Sequence, residues 1–180
     1  MILKSIQIPR RDLIIVLVLT FLFFQIGWLA CVTLGNEAFP YIVAYVFIHS
    51  YLSSPHPKKI FAIVLSCTAL GYGLDTTLTA LGIFHFPDTM YIFPPLWFLG
   101  VWLIFTTLLQ FSARWLSRWP IWQLSLWSAI MAPASYFAGS LMTGLVLQQP
   151  LWWTLGLIAL EWAIVYPLLV KITLRILKHK

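Results

Sequence analysis

Charge is what this sequence has least of. Asp, Glu, Lys and Arg make up 9% of its 180 residues, against about a quarter in an ordinary soluble chain. With 61% hydrophobic residues and a mean hydropathy of +0.91, a soluble domain of this length is excluded, and the solvent for most of the surface is expected to be lipid. Cysteine is nearly absent too. Cys31 and Cys67 are expected at different depths, ~10 Å or more apart, beyond the ~7 Å Cα separation that a disulfide can bridge. There is no GxSxG, HExxH, phosphate-binding loop or CxxC, and no paired-histidine pattern of a membrane di-iron desaturase. The sequence therefore names no cofactor. His85 and Asp88 have HxxD spacing but read as part of an interfacial loop, so no metal site is expected.

What is present is apolar runs. A membrane-spanning helix needs about 20 mostly apolar residues, and six spans are expected at about 12–34, 38–53, 60–83, 95–112, 121–147 and 151–173. Together they form one integral membrane domain over residues 1–180, an all-α bundle of transmembrane helices. The basic residues alternate with them. Lys4, Arg10 and Arg11 precede the first span, and Lys58 and Lys59 lie before the third. Arg114 and Arg118 separate the fourth and fifth, and Lys171, Arg175, Lys178 and Lys180 close the chain. The opposite loops carry Glu37 and Asp88 and no base. By the positive-inside rule both termini are expected in the cytoplasm of a bacterial inner-membrane, multi-pass protein. The net charge of +6 is thus a topology signal, with membrane lipids as the expected partners and nucleic acid not among them. Trp97, Trp115, Trp119, Trp122, Trp152 and Trp153 fall where an aromatic belt would anchor the bundle.

A few polar residues break the apolar runs. An Asp at a helix centre costs about 2.5–3.5 kcal/mol on insertion scales, so Asp75 in "GYGLDTTLTALG" needs a reason. It lies ~12 Å from the outer end of its helix, with Gln25 at ~14 Å, Glu161 at ~15 Å and Tyr136 at ~16 Å on theirs, at 1.5 Å per residue. Four helices thus place a polar group in one layer. Cys67, Gly71, Asp75 and Thr79 form one small, polar stripe, and Ser128, Ala132, Ser135, Tyr136, Gly139 and Thr143 form another. Such stripes let helices approach closely and bond across the gap. No Lys or Arg lies at this depth, so at least one of Asp75 and Glu161 is expected to be protonated at neutral pH, or the two to hold a proton or a metal cation between them. Pro133 is expected to kink the fifth span and free a carbonyl near Ala129. His49 has no visible partner at its own depth.

The stretches "FQIGWLACV", "GYGLDTTLTALGIFHF", "PPLWFLGVWLIFTTLL" and "APASYFAGSLMTG" occur in an order that resembles the bacterial domain of unknown function 2878 family of small polytopic inner-membrane proteins. That family supplies no catalytic residues, and its genetic setting implies lipid modification or envelope stress. Gln25, Trp28, Asp75, Trp97, Trp102, Ser135 and Tyr136 all lie within the matching stretches. The expectation is a lipid-modifying or lipid-handling protein, with Asp75 and Glu161 as catalytic acids and Gln25, Trp28, Trp97, Trp102, Ser135 and Tyr136 binding the ligand. Two alternatives are a small proton- or ion-coupled transporter and a non-catalytic assembly partner of other membrane or lipid-modifying proteins. A lateral opening lined by aromatics favours the first reading, and a polar path through both leaflets the transporter.

Overall fold

The computed structural model describes residues 10–87 and 92–178. Helix α1 covers Arg10–Leu34, followed by a 3-10 turn at Gly35–Ala38, α2 at Phe39–Leu52 and α3 at Pro57–Ala80. Strand β1 is Phe84–His85, α4 Leu96–Leu116, α5 Ile121–Met142, β2 Val146–Leu147 and α6 Leu151–Lys178.

Four stretches are long and apolar enough to cross a membrane: Val18–Leu52, Pro57–Ala80, Leu96–Ala113 and Leu151–Lys178. Length and apolarity therefore do not reproduce the six separate spans expected. The first stretch fuses α1 and α2 through the 3-10 turn. With 14 residues, α2 is ~21 Å long at 1.5 Å per residue. That is less than the ~30 Å hydrocarbon core. In α5, the side chains of Gln123, Ser125, Ser128, Ser135 and Tyr136, together with Pro133, dilute the apolar run.

The chain reverses between α1 and α2, where Gly35 takes a left-handed φ of 59°, a conformation that glycine adopts without a Cβ clash. Phe23 of α1 then stacks on Tyr45 of α2 at 5.8 Å. Both helices rest on α4 at glycines: Gly27 abuts Ile104, and Gly100 abuts Cys31. Helix α4 is the hub, packed against α1, α2, α3 and α6, and α5 lies along α6. Cys31 and Cys67 are both free and buried.

Two helices stop several residues short of expectation. Helix α3 stops at Ala80 rather than Ile83, with Gly82 at φ 76° turning the chain. Helix α5 stops at Met142 rather than Leu147. The apolar residues beyond those ends form a short antiparallel ribbon, Phe84 opposite Leu147 and His85 opposite Val146. A short apolar run reads alike as helix or buried strand, which is why the ribbon was not foreseen. Helix α3 also begins earlier than expected, with Pro57 in its first turn, a position where the missing N–H costs no hydrogen bond. The ribbon and the α1–α2 turn mark one end of the bundle, called the ribbon end below. Lys58, Lys59, Arg118 and Arg175 mark the other, the basic end. His85 is exposed, and Asp88 lies outside the described residues.

Candidate functional site: a buried acid behind an aromatic cavity

The small stripe on α3 faces protein: Cys67, Gly71 and Asp75 are all buried. Gly71, one turn before Asp75, matters for its missing side chain. A Cβ there would collide with the six-membered ring of Trp102. The glycine lets that indole lie flush on α3, and its Nε1–H donates to Asp75 Oδ2 at 2.5 Å. The Tyr136 hydroxyl, from α5, donates to both carboxyl oxygens at 2.8 Å each. Asp75 is 1% exposed. An indole N–H only donates, so Oδ2 accepts, and all of Asp75's side-chain partners are uncharged groups.

Helices α5 and α6 bring up the rest. Pro167 interrupts α6; lacking an N–H, it leaves the carbonyl four residues back without its helical partner. Ser125 of α5 fills that gap, donating to the Ala163 carbonyl at 2.6 Å. Ser128 donates to the Trp162 carbonyl at 2.8 Å. These two hydroxyls fix α6 so that Trp162 stacks on Trp102, with centroids 5.2 Å apart and planes at 15°. Phe84 of the ribbon and Phe98 of α4 hold the Tyr136 ring from other sides, at 5.4 and 6.0 Å. Glu161, beside Trp162, lies within electrostatic range of Asp75 and Tyr136. Its Oε2 is buried without a hydrogen-bond partner.

In front of this layer is a cavity of about 670 Å³, within the usual range for a small-molecule site. It forms because α1 and α5 scarcely touch, leaving a cleft floored by α4. Phe24, Gln25 and Trp28 form the α1 wall, Met131, Ser135 and Tyr136 the α5 wall, and Trp102, Phe105, Trp162 and Tyr166 the floor. Along α4 the lining runs from Trp97 to Trp115, ~27 Å at helical rise. Among the described residues, no Asp, Glu, Lys or Arg lines it.

The structure thus brings all six expected ligand-binding residues, Gln25, Trp28, Trp97, Trp102, Ser135 and Tyr136, to the lining of one cavity. The two expected acids are not on it. Trp102 and Tyr136 both line the cavity and both bond Asp75, so they are the groups that connect the two. Gln25 and Glu161 take no part in the hydrogen bonds of Asp75. Sequence reasoning missed Trp162 and Phe105. The available signal was that Trp162 sits in mid-helix, away from any expected interface, with Tyr166 four residues on.

A second polar cluster lies nearer the basic end. The Gln110 amide donates to His49 Nε2 at 2.5 Å, and Ser53 donates to Gln110 Oε1 at 3.2 Å. The His49 ring packs between Tyr45 and Phe111. His49 therefore has a partner at its own depth, supplied by α4. Gln110 is seven percent exposed and sits among apolar neighbours in sequence, which hid its pairing.

Fold and site together define a helical protein with membrane-type apolar helices and an aromatic cavity backed by a buried carboxyl group. The chain belongs to the family described as Protein of unknown function (DUF2878), whose sequence model matches residues 17–168. No curated protein and no solved structure matches the chain significantly.

Proposed function

We propose that this is a six-span protein of the bacterial cytoplasmic membrane, both termini cytoplasmic, that admits an apolar-chain lipid sideways into the cleft between α1 and α5. The observation that carries the reading is the cavity: aromatic and aliphatic walls, no charged lining residue among those described, and a seam where two helices fail to close. In a bilayer such a seam faces acyl chains. In this reading the Tyr136 hydroxyl is the polar group the ligand meets, and Asp75 orients it and exchanges a proton with it. That arrangement suits a lipid-modifying or lipid-handling role.

The carrier reading has one observation of its own. Polar groups continue along α4 toward the basic end, from Trp102 and Asp75 through the Thr68–Thr106 hydroxyl pair at 3.2 Å to Gln110 and His49. They lie behind the cavity wall, whereas the open volume is apolar, and that favours the lateral reading.

The test is the lipid that stays bound. Protein purified in mild detergent is expected to retain a lipid species enriched over the bulk membrane, measured by mass spectrometry. Ala138 lines the cavity, and Ala138→Trp should fill it and abolish the enrichment while the protein stays helical and monodisperse. A retained pool that mirrors the bulk lipid, unchanged in A138W, refutes the reading.

A further inference from the structure

We propose that the ligand of this cavity is a lipophilic cation, its positively charged nitrogen or phosphorus centre seated against Tyr136 and Trp162. The inference rests on the lateral-cavity reading and adds the charge that the ligand must carry.

The first ground is an uncompensated pair of acids. Asp75 is fully buried and receives hydrogen bonds only from neutral groups. Glu161 lies within electrostatic range and has a buried oxygen with no partner. The nearest base along α6 is Lys171, ten residues beyond Glu161, ~15 Å at helical rise. Buried carboxylates are ordinarily paired or metal-bound, and among the described residues no group of three or more His, Cys, Asp or Glu could hold a metal ion. A buried acid without a countercharge stays neutral, and a cation at the cavity face is the group that would let Asp75 or Glu161 give up its proton.

The second ground is the surface between the acids and the cavity. It is aromatic. Tyr136 and Trp162 both line the open volume, with ring centroids 6.3 Å apart and planes at 72°. Both rings border the open volume, and a cation seats on a ring face, the negative side of the quadrupole. Cations are held over Trp best, then Tyr and Phe, and most strongly where water is excluded. A tyrosine whose hydroxyl donates to a carboxyl group has a more electron-rich ring, so Asp75 strengthens the Tyr136 face without touching the ligand. The third ground is exclusion. Among the described residues no base lines the cavity, so an anionic headgroup would meet two acids and no described partner. A neutral chain would account for the apolar walls but not for the acids behind them.

The experiment uses the full chain in uncharged detergent and radiolabelled tetraphenylphosphonium, with tetraphenylborate as the same-shaped anion and a long-chain alcohol as the neutral ligand. Tetraphenylphosphonium should bind saturably. The alcohol should displace it by filling the same cavity, and tetraphenylborate should not. Asp75→Asn should weaken the cation by roughly tenfold, the scale of a desolvated cation–aromatic contact, and should weaken the alcohol by much less. If Asp75→Asn fails to fold, Trp162→Leu carries the test: it should cost the cation more than it costs the alcohol. Equal binding of phosphonium and borate, or unaltered phosphonium affinity in both variants while the alcohol still binds, overturns the charge assignment and leaves the lateral cavity standing. If neither phosphonium nor alcohol binds, the cavity reading falls with it.

Discussion

Gly71 shows how little separates the observed site from a broken one. Its single hydrogen leaves room for the Trp102 ring that reaches Asp75. Gly71→Ala should push the indole away and strip Asp75 of one donor. Overpacking of this kind costs about 1–3 kcal/mol, so a lower melting temperature is expected, together with a change in tryptophan fluorescence as the Trp102–Trp162 stack loosens. A variant with wild-type melting and emission would mean that Trp102 has another seat. The small stripe Cys67–Gly71–Asp75 was legible in the sequence because small residues four apart must share a helix face. The identity of Asp75's donors was not. Trp102 and Tyr136 lie 27 and 61 residues away, and no local pattern pairs them. Trp162 was hidden for a different reason, since tryptophan in a membrane protein commonly serves as an interfacial anchor.

At the scale of elements, the α5–α6 pair depends on a proline and a serine that make sense only together. Ser125→Ala should leave the Ala163 carbonyl unpaired beside Pro167. Interhelical hydrogen bonds within membranes are worth about 0.6–2 kcal/mol, and the loss should appear as reduced thermal stability in detergent. Ser125→Thr should restore most of it. Equal stability of the alanine variant would assign that carbonyl another partner. Helix cores were readable from apolar length, but helix ends were not. Beyond Ala80 and Met142 the sequence remains apolar, and only pairing across two distant loops makes those residues a ribbon. The short α2 was legible as a brief apolar run, whereas its continuity with α1 through the 3-10 turn was not.

At the scale of the whole molecule, the distribution of bases carries the topology. Reporter fusions at Lys58, Arg118 and Lys180 are expected to read cytoplasmic, and fusions near Asp88 and Gln149 periplasmic. A periplasmic reading at Lys180 would overturn the six-span arrangement, because with a cytoplasmic N-terminus it requires an odd number of spans. The layer of Gln25, Asp75, Tyr136 and Glu161 illustrates what depth arithmetic can and cannot do. Counting residues from helix ends placed the four at one level. It could not say which would touch, because that depends on helix rotation and on Trp102 occupying the space in front of Asp75.

The central position of α4 also bears on the order in which the protein is made. Helices α1, α2 and α3 leave the ribosome before the hub on which they meet. Asp75 emerges 61 residues ahead of Tyr136, which at about 5–20 residues per second is an interval of roughly 3–12 s. For the first 27 residues of that interval α3 carries a carboxyl group with neither of its final donors made, and for the remainder only Trp102 is available to it. The polar layer is complete only when the second half of the chain arrives.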